Sequence, residues 1–259
     1  MAFCRKAHYV YSGRLPSLER KLTTTPTFFK SQNMQDEKKE LERKNAAAEA
    51  VKHIKDNDIV GLGTGSTAKY AIEQIAGLVQ QGLKIKGVPT SEKSSALATQ
   101  LGIELIDIND VEAIDVTIDG ADEFTSSREL IKGGGGALFR EKIVASLSRK
   151  EIIIADSGKY VNKLGKFKVP VEVVPLAFNY VQKELAKHGG MGQLREMEHV
   201  PFITDNGNYV IDADFGLIAD PAELSRTLNQ IDGILAHGLF INLATLVIMG
   251  DGTSVQVFE

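Results

Sequence analysis

Four short stretches of the chain hold residue types that could do chemistry. The first is Gly61-Leu62-Gly63-Thr64-Gly65-Ser66-Thr67. Glycines let a backbone turn sharply, while exposed amides at a helix start attract an anion and hydroxyls add donors. The stretch lacks the Lys-Ser/Thr ending of a nucleotide phosphate loop and the third glycine of a dinucleotide loop, which disfavours nucleotide binding. Taken alone, such a loop is equally a tight strand-to-helix turn with a Ser or Thr N-cap. The second is Ile118-Asp119-Gly120-Ala121-Asp122-Glu123, with three carboxylates within five residues. They repel one another unless they hold hydroxyl groups, a cation or a lysine, or unless one of them caps a turn.

The third stretch is Lys132-Gly133-Gly134-Gly135-Gly136, running into Ala137-Leu138-Phe139-Arg140-Glu141-Lys142. Four consecutive glycines are an entropic liability, so a close approach of backbone to a ligand or another chain is expected there. A flexible linker is the alternative, but strong helix formers follow at once. Glu141 falls in the second turn of that helix and, taken alone, reads as a solvated helix charge. The fourth stretch, Ala155-Asp156-Ser157-Gly158-Lys159, offers a lysine that could meet a phosphate or carboxylate. A metal site built on these carboxylates would want histidines, yet the five present (8, 53, 188, 199 and 237) are dispersed without ligand spacing.

Elements predicted from periodicity place these stretches together. A helix is expected over 36–55, a strand over 58–62, a helix over 67–79 and a strand over 83–88. A helix over 92–101, strands over 104–106 and 114–118, a helix over 137–147 and a strand over 151–155 continue the alternation. This order predicts an α/β fold, a Rossmann-like open parallel sheet with helices on both faces. Three of the four stretches then follow strands at their carboxyl ends, which is the ligand-binding edge of such a sheet. After residue 164 the texture changes. A β-branched run over 169–174, a helix over 176–187, a loop around 189–192 and a turn at Asp205-Asn206-Gly207-Asn208 follow. A strand over 209–211, a helix opening at Pro221 and a strand-like 233–236 complete a smaller α+β unit of ferredoxin-like character. The segments 243–249 and 254–258 are expected to return to the first sheet. The expected domains are thus 34–164 with 238–259, and 165–237, preceded by an N-terminal extension.

That extension, residues 1–33, holds Arg5, Lys6, Arg14, Arg20, Lys21 and Lys30 against the single acid Glu19. Its bias is that of a mitochondrial transit peptide, but with no strong amphipathic period a poorly ordered extension with no targeting role is the preferred reading. The remaining bounds are broad. With 259 residues, 43% of them hydrophobic, the chain can bury a sizeable core. No apolar run approaches the ~20 residues of a membrane span. A net charge of −4 without an extended basic face argues against a nucleic-acid partner. The single Cys4 allows no internal disulfide and suits a reducing compartment.

Gly-Thr-Gly-Ser-Thr, Asp-Gly-Ala-Asp-Glu, Lys-Gly-Gly-Gly and Arg-Glu-Lys, in this order and at these intervals, resemble the A-type ribose-5-phosphate isomerases. The resemblance continues through Leu164-Gly165-Lys166-Phe167, Pro170-Val171-Glu172-Val173, Thr204 to Asn208 and Gly238-Leu239-Phe240. It implies an aldose–ketose isomerase that interconverts ribose 5-phosphate and ribulose 5-phosphate through an enediolate, with no metal and no cofactor. It also implies that Thr64, Gly65, Ser66, Thr67, Asp119, Gly120, Ala121, Asp122, Lys132, Gly133, Gly134, Gly135 and Lys159 bind substrate. Glu141 matches the proton acceptor, and Lys132, Asp119 and Asp122 are the other expected catalytic groups. The family's early helix often brings a lysine near the site, and here Arg43 and Lys44 compete for that place. A homodimer or homotetramer in the cytoplasm is expected. The rival readings are a sugar-phosphate-binding sensor without catalysis and an enzyme like the CoA-transferases.

Overall fold

The structure, a computed structural model, describes residues 26–259, with side chains described from residue 34. The expectation of an extension falls mostly outside the described residues. Within them, helix α1 (Pro26–Ala50) begins eight residues before Met34. Its alanines Ala46, Ala47 and Ala50 are fully buried, a small-residue stripe that lets the helix lie close on the central sheet. The expected continuation to residue 55 ends instead in a single 3₁₀ turn, Val51–His53.

The central sheet is built by the alternation read from the sequence. Strand β1 (Ile59–Leu62) leads into α2 (Ser66–Gln80), β2 (Lys86–Pro89) into α3 (Glu92–Gln100), and β3 (Val116–Gly120) follows. Two-residue strands β4 (Glu123–Phe124) and β5 (Leu130–Ile131) come next, then α4 (Leu138–Leu147) and β6 (Glu151–Asp156). Residues 104–106, expected as a strand, make only an isolated bridge between Leu105 and Gly87, so they stop short of being a strand. Beyond β6 the chain forms β7 (Val169–Val173), α5 (Phe178–Lys187) and β8 (Met191–Leu194). A short ribbon, β9 (Glu196–Met197) with β10 (Val200–Pro201), precedes β11 (Tyr209–Asp214), α6 (Pro221–Leu228) and β12 (Ile234–His237). The chain closes with β13 (Leu239–Phe240), β14 (Leu246–Asp251) and β15 (Ser254–Phe258).

Six strands form the main sheet in the order β15-β14-β6-β3-β1-β2. All neighbours run parallel except β14 with β15. Its inner strands are buried on both faces, which is why they read as continuous apolar runs rather than alternating ones. Residues Val60, Leu62, Ile118, Ile152, Ile154 and Ile248 share one core with the alanines of α1 and the apolar stripe of α2. The chain leaves β1 toward β2 on one side and later inserts β3 on the other. That reversal opens a crevice at the carboxyl ends of β1 and β3.

The second sheet has the order β12-β7-β11-β8, antiparallel throughout. Two helices pack over it through Val181, Leu185 and Leu228, giving the ferredoxin-like arrangement. The loop expected around 189–192 is a correction. From Met191 the chain is the edge strand β8, whose Gly192, close after Gly189 and Gly190, resembles a turn residue and whose exposed Met191 hides the alternation. A third sheet of two-residue strands, β13-β5-β4, has no counterpart in the sequence reading. It joins the backbone beside Lys132 to the segment returning from the second sheet, because the Lys132 amide donates to Gly238 O at 2.9 Å.

Candidate active site

The four stretches meet. A cleft of about 260 Å³ at the carboxyl ends of β1 and β3 is lined by Thr64, Gly65, Ser66, Thr67, Gly120, Ala121 and Asp122 from two of them. Lys132, Gly133, Gly134, Gly135, Glu141 and Lys159 come from the other two, and Arg43 of α1 joins them. Every site residue expected from the sequence therefore borders the cleft except Asp119. Arg43 also answers the choice left open between it and Lys44. Its guanidinium grips Asp156 Oδ2 at 2.8 Å and reaches Ser66 Oγ at 3.4 Å. Lys44 turns away to pair with Glu40 at 2.6 Å over the Tyr70 ring.

Close approach of backbones explains the first loop. A Cβ on Gly63 would sit 2.3 Å from Asp119 Oδ1, so the β1 and β3 loops can cross only with glycine there. Gly65 takes φ +108° and forms the N-cap of α2 with no side-chain cap, so the alternative reading of a Ser or Thr cap does not hold. The first-turn amides of a helix have no intrahelical partner, and here Gly65, Ser66 and Thr67 at the start of α2 line the cleft. The Thr64 hydroxyl is spent elsewhere: it lies 2.7–2.8 Å from Thr90 Oγ1 and Ser91 Oγ. Ser66 and Thr67, further along the same stretch, also line the cleft.

The three clustered carboxylates divide their work. Asp119 is 1% exposed and lies beneath the cleft floor. Its Oδ1 accepts from the Thr64 and Gly120 amides at 3.0 and 2.7 Å, and its Oδ2 pairs with Lys132 Nζ at 2.9 Å. Asp119 thus does not itself line the cleft, and it meets the site through Lys132 and the Thr64 amide. Asp122 lines the cleft and accepts from the Gly134 amide at 2.7 Å. Glu123 points away and accepts from the amides of Gly165 and Phe167, which gives the Leu164 to Phe167 motif a structural role.

Lys132 is the centre of the buried charge. Its ammonium donates to Gly120 O and lies 3.5 Å from Glu141 Oε1 and 5.4 Å from the centre of the Phe240 ring. Burial alone would favour the neutral amine, but Asp119, Glu141 and Glu151 outweigh it and hold the pKa above the ordinary lysine value. Glu141 feels the opposite balance. Burial raises its pKa, Lys132 lowers it, and Asp119 and Asp122 raise it again, leaving it pushed up to about 8. Its Oε2 is buried with no hydrogen-bond partner among the described residues. Helix α4 delivers this carboxyl by burying Leu138, Glu141, Val144 and Ala145 along one face. The expectation that Glu141 reads as a solvated helix charge is overturned by that packing.

The glycine run is a turn: the Gly136 amide donates to Gly133 O at 3.0 Å, and Gly133 and Gly136 have φ +98° and +80°. Lys159 is brought to the rim by a 3₁₀ turn in which Asp156 Oδ1 accepts from the Gly158 amide at 3.1 Å. The following Tyr160 packs against Phe124 and Phe258, which fixes that turn on the sheet. Two site-shaping residues were not expected as such from the sequence. Arg195 hydrogen-bonds the carbonyls of Gly133 and Gly134 across more than sixty residues of chain. Gly238, inside an already recognised motif, holds the Lys132 backbone as described above. Among the described residues no group of three or more His, Cys, Asp or Glu side chains could hold a metal ion. No helix among them is long and apolar enough to cross a membrane.

Comparison with known proteins agrees in sequence and in shape. The family model described as ribose 5-phosphate isomerase A (phosphoriboisomerase A) matches residues 86–254. The ribose-5-phosphate isomerase A of Sphingopyxis alaskensis is 45% identical over 216 residues, 83% of this chain and 95% of its own length. A solved D-ribose-5-phosphate isomerase in complex with phospho-erythronic acid superposes with a TM-score of 0.81 at 40% identity, covering 84% of this chain and 97% of that one. The ribose 5-phosphate isomerase A of Methanocaldococcus jannaschii gives 0.80 at 37% identity, covering 84% and 97%. With a crevice of the expected composition and relatives matched over nearly their whole length, the chain belongs to the ribose 5-phosphate isomerase A family.

Proposed function

We propose that Glu141 is the base that moves the proton between C1 and C2 when this aldose–ketose isomerase interconverts ribose 5-phosphate and ribulose 5-phosphate. The observation that carries the assignment is the buried Glu141 carboxyl, bordering the cleft with Oε2 unpartnered and Lys132 beside Oε1. On the open-chain aldose the carboxylate takes the C2 proton. The C–H electron pair becomes the C1=C2 bond of an enediolate, and the negative charge falls on the former carbonyl oxygen at C1. Return of the proton to C1, with the hydroxyl proton of C2 transferred to O1, gives the ketose. Lys132 Nζ and the amides of the glycine turn are the donors for the developing charge.

Asp122, at the rim and braced by Gly134, is suited to the sugar hydroxyls and to the proton moved in ring opening. For Asp119 we propose a positioning role, through its bonds to Lys132 and to the Thr64 amide. The phosphate is best met by the α2 amides with Ser66 and Thr67, flanked by the cations Arg43 and Lys159. The sensor and CoA-transferase readings have no support from the comparisons. We further propose residues 34–164 with 238–259 as the catalytic domain and 165–237 as the smaller one. Exposed Leu176 and Tyr180 of the smaller one are candidate contacts in a homodimer or homotetramer, to be tested by light scattering. The cytoplasm is the proposed compartment, supported by a single cysteine in the chain.

The test is conversion of ribose 5-phosphate by the purified chain and by Glu141→Gln. The variant should keep its fold and lose turnover on the order of a hundred- to ten-thousandfold. A folded Glu141→Gln enzyme with near-parent turnover would remove Glu141 from the reaction.

A further inference from the structure

Arg195 follows edge strand β8 of the second sheet, yet its guanidinium lies behind the glycine turn of the cleft. The side chain is 14% exposed. Its Nε donates to Asp212 Oδ2 at 2.9 Å and its Nη2 pairs with Asp212 Oδ1, a forked contact that fixes the plane of the group. Asp212 belongs to β11, in register with Gln193 on β8, so the fork is carried by two paired strands. The remaining Nη1 donates to Gly133 O at 2.9 Å and to Gly134 O at 3.2 Å. The Phe202 ring lies against the guanidinium and also fills the space that a Cβ on Gly136 would need.

A trans peptide directs its carbonyl and the next amide to opposite sides. Holding the carbonyls of Gly133 and Gly134 outward therefore aims the amides of Gly134 and Gly135 inward. The Gly134 amide is taken by Asp122. The Gly135 amide has no partner among the described residues, and Gly135 borders the cleft together with Lys132 and Glu141. From this arrangement we infer that Arg195 is a positioning residue of the reaction, which turns the Gly135 amide into the cleft as a fixed donor to the enediolate oxygen. The inference rests on the isomerase reading above. A lysine in its place could not reproduce it, because a single ammonium cannot hold the Asp212 fork and two carbonyls in one plane.

Arg195→Ala and Arg195→Lys test the inference, with circular dichroism to establish folding and the lysine variant as the milder change. Loss of one preorganised donor should lower kcat about a hundredfold. KM for ribose 5-phosphate should stay within about threefold, since Arg43, Lys159 and the α2 amides are untouched. Free guanidinium at millimolar concentration should restore part of the turnover of Arg195→Ala. Phospho-erythronic acid, whose carboxylate presents negative oxygen where the enediolate would, should bind the variants more weakly in proportion to the loss in kcat, while inorganic phosphate binds them as it binds the parent. Folded variants with near-parent kcat, or a loss carried wholly by KM, would overturn the role assigned to Arg195. An inactive parent would instead overturn the isomerase reading on which it rests.

Discussion

Two buried carboxyl groups, Asp119 and Glu141, lie within 3.5 Å of the buried Lys132 under the cleft, with the buried Glu151 adding its charge, and their mutual influence decides which of them can act as a base. Asp119 is tied down by two amides and Lys132, whereas Glu141 has one oxygen near Lys132 and the other free. Burial is the largest influence on Glu141 and favours its protonated form, so the group titrates near 8 rather than near 4.5. A base must be deprotonated to act, so kcat/KM should rise with pH across the neutral range and level off above about pH 8. The pH dependence of kcat/KM for ribose 5-phosphate checks this. An ascending limb centred near 4.5 would mean that the free enzyme holds Glu141 ionised, with Lys132 rather than burial in control. The same proton contributes to stability. The folded pKa lies above the unfolded one, so this contribution is full below pH 4.5 and is lost as pH rises through 8.

At the scale of elements, the glycine turn separates positions that need glycine for different reasons. A Cβ on Gly134 would lie 2.5 Å from Asp122 Oδ1 and 2.9 Å from Oδ2, the oxygen that accepts from the Gly134 amide, so the carboxylate would have to move. A Cβ on Gly135 would meet only Thr64 Cγ2 at 3.5 Å, an ordinary contact. Gly134→Ala should therefore displace Asp122 and lower kcat/KM on the order of a hundredfold. Gly135→Ala should melt within a degree or so of the parent, its effect confined to the cleft; equal thermal and kinetic behaviour of the two variants would refute the distinction. Such features were partly legible in the sequence. The parallel strands and their loops are local patterns, so the cleft could be placed at the strand ends from residue order alone. What depended on contact across the chain was not legible. Choosing between Arg43 and Lys44 needs the rotation of α1 on the sheet, which neighbouring positions of a helix do not reveal. Two-residue strands such as β4, β5 and β13 carry too few residues to show a period. The Thr204 to Asn208 motif looks like a simple turn, but Thr204, Asn206 and Asn208 all donate to Glu172 Oε1, seating that turn on the second sheet.

Across the whole molecule, the second sheet is joined to the catalytic helix through a buried pair of basic groups. Lys142, next to Glu141 on α4, donates to His237 O at 2.6 Å and Leu239 O at 3.0 Å, bracketing the Gly238 carbonyl that receives the Lys132 amide. His237 is fully buried, with Nε2 3.1 Å from Asn229 Oδ1 and Nδ1 3.4 Å from Lys142 Nζ. Burial first, and the Lys142 ammonium second, lower its pKa to about 3. The unfolded chain would take up a proton near 6.5 that the folded chain refuses, so stability must fall as the pH drops from 6.5 toward 3. Lys142, lowered by burial to about 7, acts in the same sense at higher pH: between 7 and 10.5 the unfolded chain again binds more protons, so stability rises with pH. Urea denaturation of the parent and of His237→Gln, at a series of pH values from 4 to 7, separates the two groups. The glutamine variant should show a flatter loss toward acid, because its amide can still meet Asn229 and Lys142 without a proton to gain. An unchanged slope would move the origin of the acid sensitivity away from this junction and onto the carboxylates beneath the cleft.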